Sequence, residues 1–372
     1  MQRQARAGGA DLALADAYHL VARGYGFASW PKLKRYVEDV TAPADYPREL
    51  GDATRAFLDA VRRGDGAAVR AALAANPSLA RLRVLGDNRL EGITYAQDDP
   101  HRPAERDAGR SSAPLHHAAV NGHTDVAAAL LDAGADVDAW GYDNNHDVST
   151  PLLLAAWEGP LDVLRLLLAR GADPNLRSRA GQSPLMTALE HKKHDHAAAL
   201  LAAGAEPTVH EAAALGRVDR LASMLDDDPL LLEARELYRG ATPVYFAACL
   251  DKPNAIALLA ARGADLEARH VGEWTPLLAA AYYGAERAVN TLVVLGANVT
   301  ARSLSGHWRV PAGATVLQLL CDRKTAPPAD LVRRLIALGA APTAYAADGR
   351  TAADIATARG HAQLAEILKS GD

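Results

Sequence analysis

Along this 372-residue chain, a Gly-Ala step that follows a leucine-rich stretch returns at Gly134, Gly171, Gly204, Gly263, Gly296 and Gly339, at separations of 37, 33, 59, 33 and 43. A second marker, a proline that opens an apolar run, returns in the same phase at Pro114, Pro151, Pro184, Pro243 and Pro276, at separations of 37, 33, 59 and 33. Two markers in register at a period near 33 constrain the chain more than any single motif does. It must fold as a row of like units, each supported by its neighbours. The gap of 59 hides one degenerate unit, from about Thr208 to Arg235.

Each unit has its own physical logic. Thr or Ser before Pro caps a helix, with Pro in the first turn, where a missing N–H costs nothing. Paired alanines then let a neighbouring helix come close. A glycine (Gly122, Gly159 or Gly284) ends this first helix, and positive φ is expected there. The second helix carries apolar residues at Val163, Leu164, Leu166, Leu167 and Leu168, then stops at Gly-Ala. A pair this small cannot bury its apolar face alone, so neighbours must stack into one continuous core. The composition is 49% hydrophobic but only 5% aromatic, which suits short, closely packed helices and not a large β-sandwich.

Full units read SSAPLHHAAVNGHTDVAAALLDAGADVDA, STPLLLAAWEGPLDVLRLLLARGADPN and WTPLLAAAYYGAERAVNTLVVLGANVTA. They resemble ankyrin repeats, with the T-P-L-H-x-A-A signature followed by L-L-x-x-G-A, over about residues 52–370. The resemblance implies an all-α ankyrin-repeat solenoid of about nine helix pairs with hairpin fingers, occupying 51–372. In the last unit, Asp354, Thr357 and Lys369 stand where apolar residues would, as a solvent-facing cap requires. Residues 1–50 do not match the repeat. Asp11 to Arg23 and Pro31 to Val40 read as amphipathic helices joined by GYGFASW, similar to the YGF-x-SWP-x-LK lead-in of bacterial ankyrin proteins. This segment is expected to form an N-terminal helical cap on the first repeat, with a tethered linker as the alternative.

The charge balance, 40 Lys+Arg against 45 Asp+Glu, argues against a nucleic-acid backbone as the main partner. Two cysteines, Cys249 and Cys321, provide no disulfide framework. No stretch reaches 18 apolar residues and no secretory leader is legible, so a soluble, cytoplasmic protein is expected.

Insertions into a regular array fall on one face and often carry function. The connection from Asn76 to Pro114 holds Tyr95, Asp98 and His101, and its RLEGITYA run alternates like an extended strand. The next finger supplies Trp140, Tyr142, Asp143 and His146, and a late finger supplies Trp308. Histidine beside carboxylates is the chemistry of proton transfer. One reading is therefore a small-molecule lyase, isomerase or hydrolase that uses Tyr95, Asp98, His101, Tyr142, Asp143 and His146. No nucleophile elbow, phosphate loop, dinucleotide fingerprint or CxxC accompanies them, and no cofactor is expected. The resemblance assigns His116, His123 and His361 structural hydrogen bonds. His191, His194 and His196 do not share one helical face, and DNNHD lacks the glycine and terminal glutamate of a calcium loop, so no metal is expected.

The resemblance also implies a concave groove lined by the residue after the PLH histidine and the two after A-A. Here these include His117, Asn121, Trp157, Glu158, Glu190, Glu211, Phe246, Tyr282 and Tyr283, with Trp140 and Trp308 on the fingers. Aromatic anchors dominate interface energies, and the acids favour a basic partner segment. The leading expectation is a non-catalytic protein- or peptide-binding module, with a small molecule at the fingers as the alternative.

Overall fold

A computed structural model describes residues 52–82, 84–85, 111–142, 148–270, 272–304 and 310–370. The expected N-terminal cap and the RLEGITYA strand lie outside these residues. The described residues form two compact units divided between Glu206 and Pro207.

The first unit holds four helix pairs: α1 (Asp52–Arg63) with α2 (Gly66–Ala75), α3 (Pro114–Asn121) with α4 (Thr124–Asp132), α5 (Pro151–Trp157) with α6 (Leu161–Ala169), and α7 (Pro184–Glu190) with α8 (His194–Ala202). The second holds five: α9 (Val209–Leu215) with α10 (Val218–Asp227), α11 (Pro243–Cys249) with α12 (Pro253–Ala261), α13 (Pro276–Tyr283) with α14 (Glu286–Val294), α15 (Val316–Cys321) with α16 (Ala329–Ala337), and α17 (Ala352–Ala358) with α18 (Ala362–Ser370). Nine helix pairs among the described residues match the expected all-α ankyrin-repeat architecture.

In each unit the helices form two layers. In the first, α1, α3, α5 and α7 pack in sequence, with α2, α4, α6 and α8 behind them. In the second, α9, α11, α13, α15 and α17 form the corresponding row. A first helix is enclosed by both neighbours and by its own partner, so Pro151 to Ala156 are all buried. A second helix buries only one stripe. Val163, Leu164 and Leu167 are fully covered, whereas Leu166 and Leu168 are half-buried.

Local chemistry sets the helix ends. Thr150, Ser183 and Thr275 accept from the backbone N–H three residues on, at 3.3, 2.9 and 3.3 Å. The degenerate unit lacks the proline and uses a reciprocal Thr208–Glu211 capping box. Most of the glycines follow expectation, with φ of 78° at Gly122 and 70° at Gly284. Gly159 does not: it is absent from the left-handed region, and Glu158 ends the helix in a right-handed conformation. Crowding explains the glycine there, because a Cβ would lie 2.5 Å from the Ala119 carbonyl oxygen and 2.8 Å from the Ala155 Cα. In the last described helix pair, Asp354, Thr357 and Lys369 are exposed, as expected from their polarity.

The fingers begin as short strand pairs. Strand β1 (Val84–Leu85) runs antiparallel to β2 (Ser111–Ser112), and β3 (Gly141–Tyr142) to β4 (Val148–Ser149). Side-chain acceptors join successive fingers at two places in each unit. Asp138 accepts from Asp173 N at 2.9 Å and Asn175 from Glu206 N at 2.8 Å; in the second unit, Glu233 accepts from Asp265 N and Glu267 from Asn298 N, both at 2.7 Å.

Candidate binding surface

Burial sorts the residues named from sequence. Along the first helices from α3 to α15, everything up to the last residue or two is covered and accessibility returns only at the helix ends, whereas α1 and α17 also expose residues within the helix, such as Asp59 and Asp354. Asn121 and Glu158 are exposed there, while Trp157, Glu190, Tyr282 and Tyr283 are half-buried. His117, Glu211 and Phe246 lie deeper in the same helices, at 2%, 1% and 2% exposure, and Trp140 at the start of its finger is at 4%. The groove surface is therefore narrower than the repeat register implies.

His117, Glu211 and Phe246 each have a structural use. Asn121 donates to the His117 carbonyl at 2.9 Å and lies 3.2 Å from its Nδ1. Glu211 accepts from Thr208 N at 2.7 Å and from Thr208 Oγ1 at 2.8 Å, so its carboxylate caps α9 and is not presented to a partner. The Thr-x-x-Glu spacing that announces this was present in the sequence. Phe246 meets His210 and Tyr245 edge-on, with ring centroids 5.7 and 5.9 Å away.

The accessible ends differ in chemistry along the chain. In the first unit, Trp157 sits against His191 with centroids 6.4 Å apart, and Glu158 and Glu190 lie at neighbouring helix ends. In the second unit, Tyr282 and Tyr283 are T-shaped at 5.1 Å, and Trp274 braces Tyr282 from below at 4.9 Å. Sequence reasoning did not single out Trp274, whose signal was its place immediately before a Thr-Pro cap. Behind this cluster, burial first and contact with Cys249 second push the Tyr245 phenol well above its ordinary value.

The histidines act as scaffold ties. His116 Nε2 lies 3.2 Å from the Ser149 carbonyl, His123 Nε2 3.2 Å from Arg62 O, His361 Nε2 2.9 Å from Arg323 O and His210 Nε2 2.8 Å from Ala234 O. His196 Nε2 reaches Gly159 O at 3.1 Å, and Lys193 Nζ reaches the same carbonyl at 2.9 Å. Burial holds both His196 and Lys193 below their ordinary values, opposed at Lys193 by Glu158. His191 and His194 are exposed. Among the described residues, no group of three metal-ligating side chains converges, and no helix is long and apolar enough to cross a membrane.

Tyr95, Asp98, His101, Asp143, His146 and Trp308 lie outside the described residues, as does the side chain of Tyr142. A depression of about 590 Å³ between α6 and α8 is walled by alanines and Leu168, with Arg165 and Asp195 as its charged residues. It contains no histidine or tyrosine to pair with the carboxylate.

Three copies of a family model described as ankyrin repeats match residues 58–178, 143–211 and 209–303, together more than half of the chain. The chain is 30% identical over 232 residues to the B-cell lymphoma 3 protein homolog of Mus musculus, covering 61% of this chain and 44% of that protein. It is 31% identical over 213 residues to the E3 ubiquitin-protein ligase XB3 of Oryza sativa subsp. japonica, covering 57% and 38%. It is also 35% identical over 161 residues to Protein PhlB of Serratia liquefaciens, covering 43% and 62%. The chain thus spans less than two thirds of the length of each of these relatives.

Proposed function

The chain belongs to the ankyrin-repeat family, and from that membership we propose that it is a non-catalytic module that holds a protein or peptide partner on the accessible ends of its first helices. The observation that carries this reading is the placement of large aromatic side chains at the ends of α5 and α13, which are otherwise closed to solvent. Trp157, Tyr282 and Tyr283 are half-covered and braced by neighbouring rings, so docking a partner against them costs little side-chain entropy. Glu158 and Glu190 favour a basic segment at the helix ends of the first unit. Glu211 takes no part in that preference. Cys249 and Cys321 are not joined in a disulfide, which supports placing the module in the cytoplasm.

Capture tests this proposal. Immobilised full-length protein is expected to retain a partner set that a W157A/Y282A variant recovers at least about tenfold less well, with unchanged thermal unfolding. Equal recovery by a folded variant would remove the helix-end surface from the account.

A further inference from the structure

Three arginines occupy the same register of consecutive fingers in the second unit. Arg235 Nη1 donates to Gly240 O within its own finger at 2.8 Å and to Arg269 O in the next at 2.7 Å. Arg269 Nη1 donates to Glu273 O in its own finger and to Arg302 O in the next at 3.0 Å, and Arg302 Nη1 donates to Tyr345 O at 3.1 Å. One nitrogen of each guanidinium is therefore fixed in the scaffold. All of these bonds among the described residues use Nη1, which leaves the Nε–Nη2 edge of each guanidinium outside them; Arg235 and Arg302 are exposed, and Arg269 is half-buried beside the Glu267 charge. Held this way, a guanidinium offers a preorganised, flat, two-donor edge suited to a carboxylate.

Large apolar side chains accompany this row. Leu237 is 79% exposed, Leu304 62% and Tyr345 62%, a concentration that the second helices do not need for packing. Leu304 follows Arg302 by two residues, a spacing that shares one face of an extended chain. Tyr345 supplies the carbonyl that holds Arg302. Nearby acids are largely committed: Glu236 accepts from Tyr238 N and Arg239 N, and Asp348 pairs with Arg350 at 2.6 Å. Glu233, Asp265 and Glu267 accept from the backbone N–H groups of Asp265, Glu267 and Asn298, Glu267 also acts electrostatically on Arg269, and Glu273 lies between the first two rungs.

We propose that this arginine row is a docking track for an extended acidic peptide. Packed helices repeat every ~8–10 Å and an extended chain rises ~3.3 Å per residue, so carboxylates about three residues apart meet successive guanidiniums. The partner segment then reads acid-x-x-acid-x-x-acid, with apolar residues between the acids meeting Leu237, Leu304 and Tyr345. This deepens the binding-module reading by adding a second surface, with a partner chemistry opposite to that favoured by Glu158 and Glu190.

The test uses the full chain and fluorescein-labelled synthetic heptapeptides read by anisotropy. Asp-Ala-Leu-Asp-Ala-Leu-Asp is expected to bind at least about tenfold more tightly than Asp-Asp-Asp-Ala-Leu-Ala-Leu, and to weaken as salt rises. R269Q should weaken the spaced peptide at least about fivefold. Because Arg269 also ties two fingers together, L304S and Y345S provide variants of exposed side chains, each expected to weaken binding about threefold. Equal affinity for the two peptides, no binding of the spaced peptide, or tighter binding of its lysine counterpart would each overturn the track. None of those outcomes touches partner capture through Trp157 and Tyr282, so failure here is distinguishable from failure of the module itself.

Discussion

In the first unit, fingers are joined by neutral or acidic acceptors, Asp138 to Asp173 N and Asn175 to Glu206 N, and by the guanidinium of Arg81, whose Nε donates to the Gly134 carbonyl. The second unit continues that ladder through Glu233 and Glu267 and lays a cationic one beside it, through Arg235, Arg269 and Arg302. The helix ends diverge as well. The first unit presents Asn121, Glu158, Glu190 and His191 around a single Trp157, whereas the second presents Leu215, Cys249, Leu250, Tyr282 and Tyr283. One backbone plan thus supports two surfaces of different chemistry. The side chains that fasten consecutive repeats are the same ones that set the charge of the fingers, so fastening and recognition are not independent choices in this chain.

The strongest test of the shared plan lies in the core. Leu167→Ala in α6 and Leu259→Ala in α12 each remove a fully buried side chain and are expected to cost ~2–5 kcal/mol in urea unfolding. A loss under about 0.5 kcal/mol at either site would show that the second helix of that unit buries a different face. Next comes Gly159→Ala, expected to cost ~1–3 kcal/mol because its Cβ runs into the Ala119 carbonyl. Gly171→Ala, where φ is 88° and the added methyl meets nothing within 4 Å, should cost about 1–2 kcal/mol through backbone conformation alone. Asparagine, which tolerates that conformation, should recover part of the loss at Gly171 and none at Gly159.

Smaller effects sharpen the comparison between units. Glu211→Ala leaves Thr208 N without its acceptor and is expected to cost ~0.5–2 kcal/mol. A partner-binding defect without any stability loss would return Glu211 to the groove. The smallest effect concerns His196. Burial depresses its folded-state value, so the folded protein holds the neutral ring while the unfolded chain titrates near its ordinary value of 6.5. Its contribution is complete above that value and is lost as pH falls from there through the folded value. Wild-type stability measured relative to His196→Gln should therefore decline between about pH 7.5 and about pH 5. A constant difference would show that the ring does not titrate on unfolding.

What the sequence determined by itself was most of what is local to one unit: the period, about nine pairs, the Thr-Pro and Ser-Pro caps, and the polar face of the last repeat. A cap, a turn and a stop are decided within about four residues, so they can be read from spacing. Tertiary structure alone decided which side chains of a first helix stay accessible, because the covering atoms come from the units on either side. His117, Phe246 and Trp140 looked like surface residues in the register and proved to be core, whereas Trp157 and Tyr282 at helix ends kept part of their surface. The same distance hid the reason for Gly159, which is a neighbour's carbonyl and not its own φ, and the arginine row, whose rungs are 34 and 33 residues apart. Contacts made across a repeat leave no short-range pattern, and only packing brings their partners together.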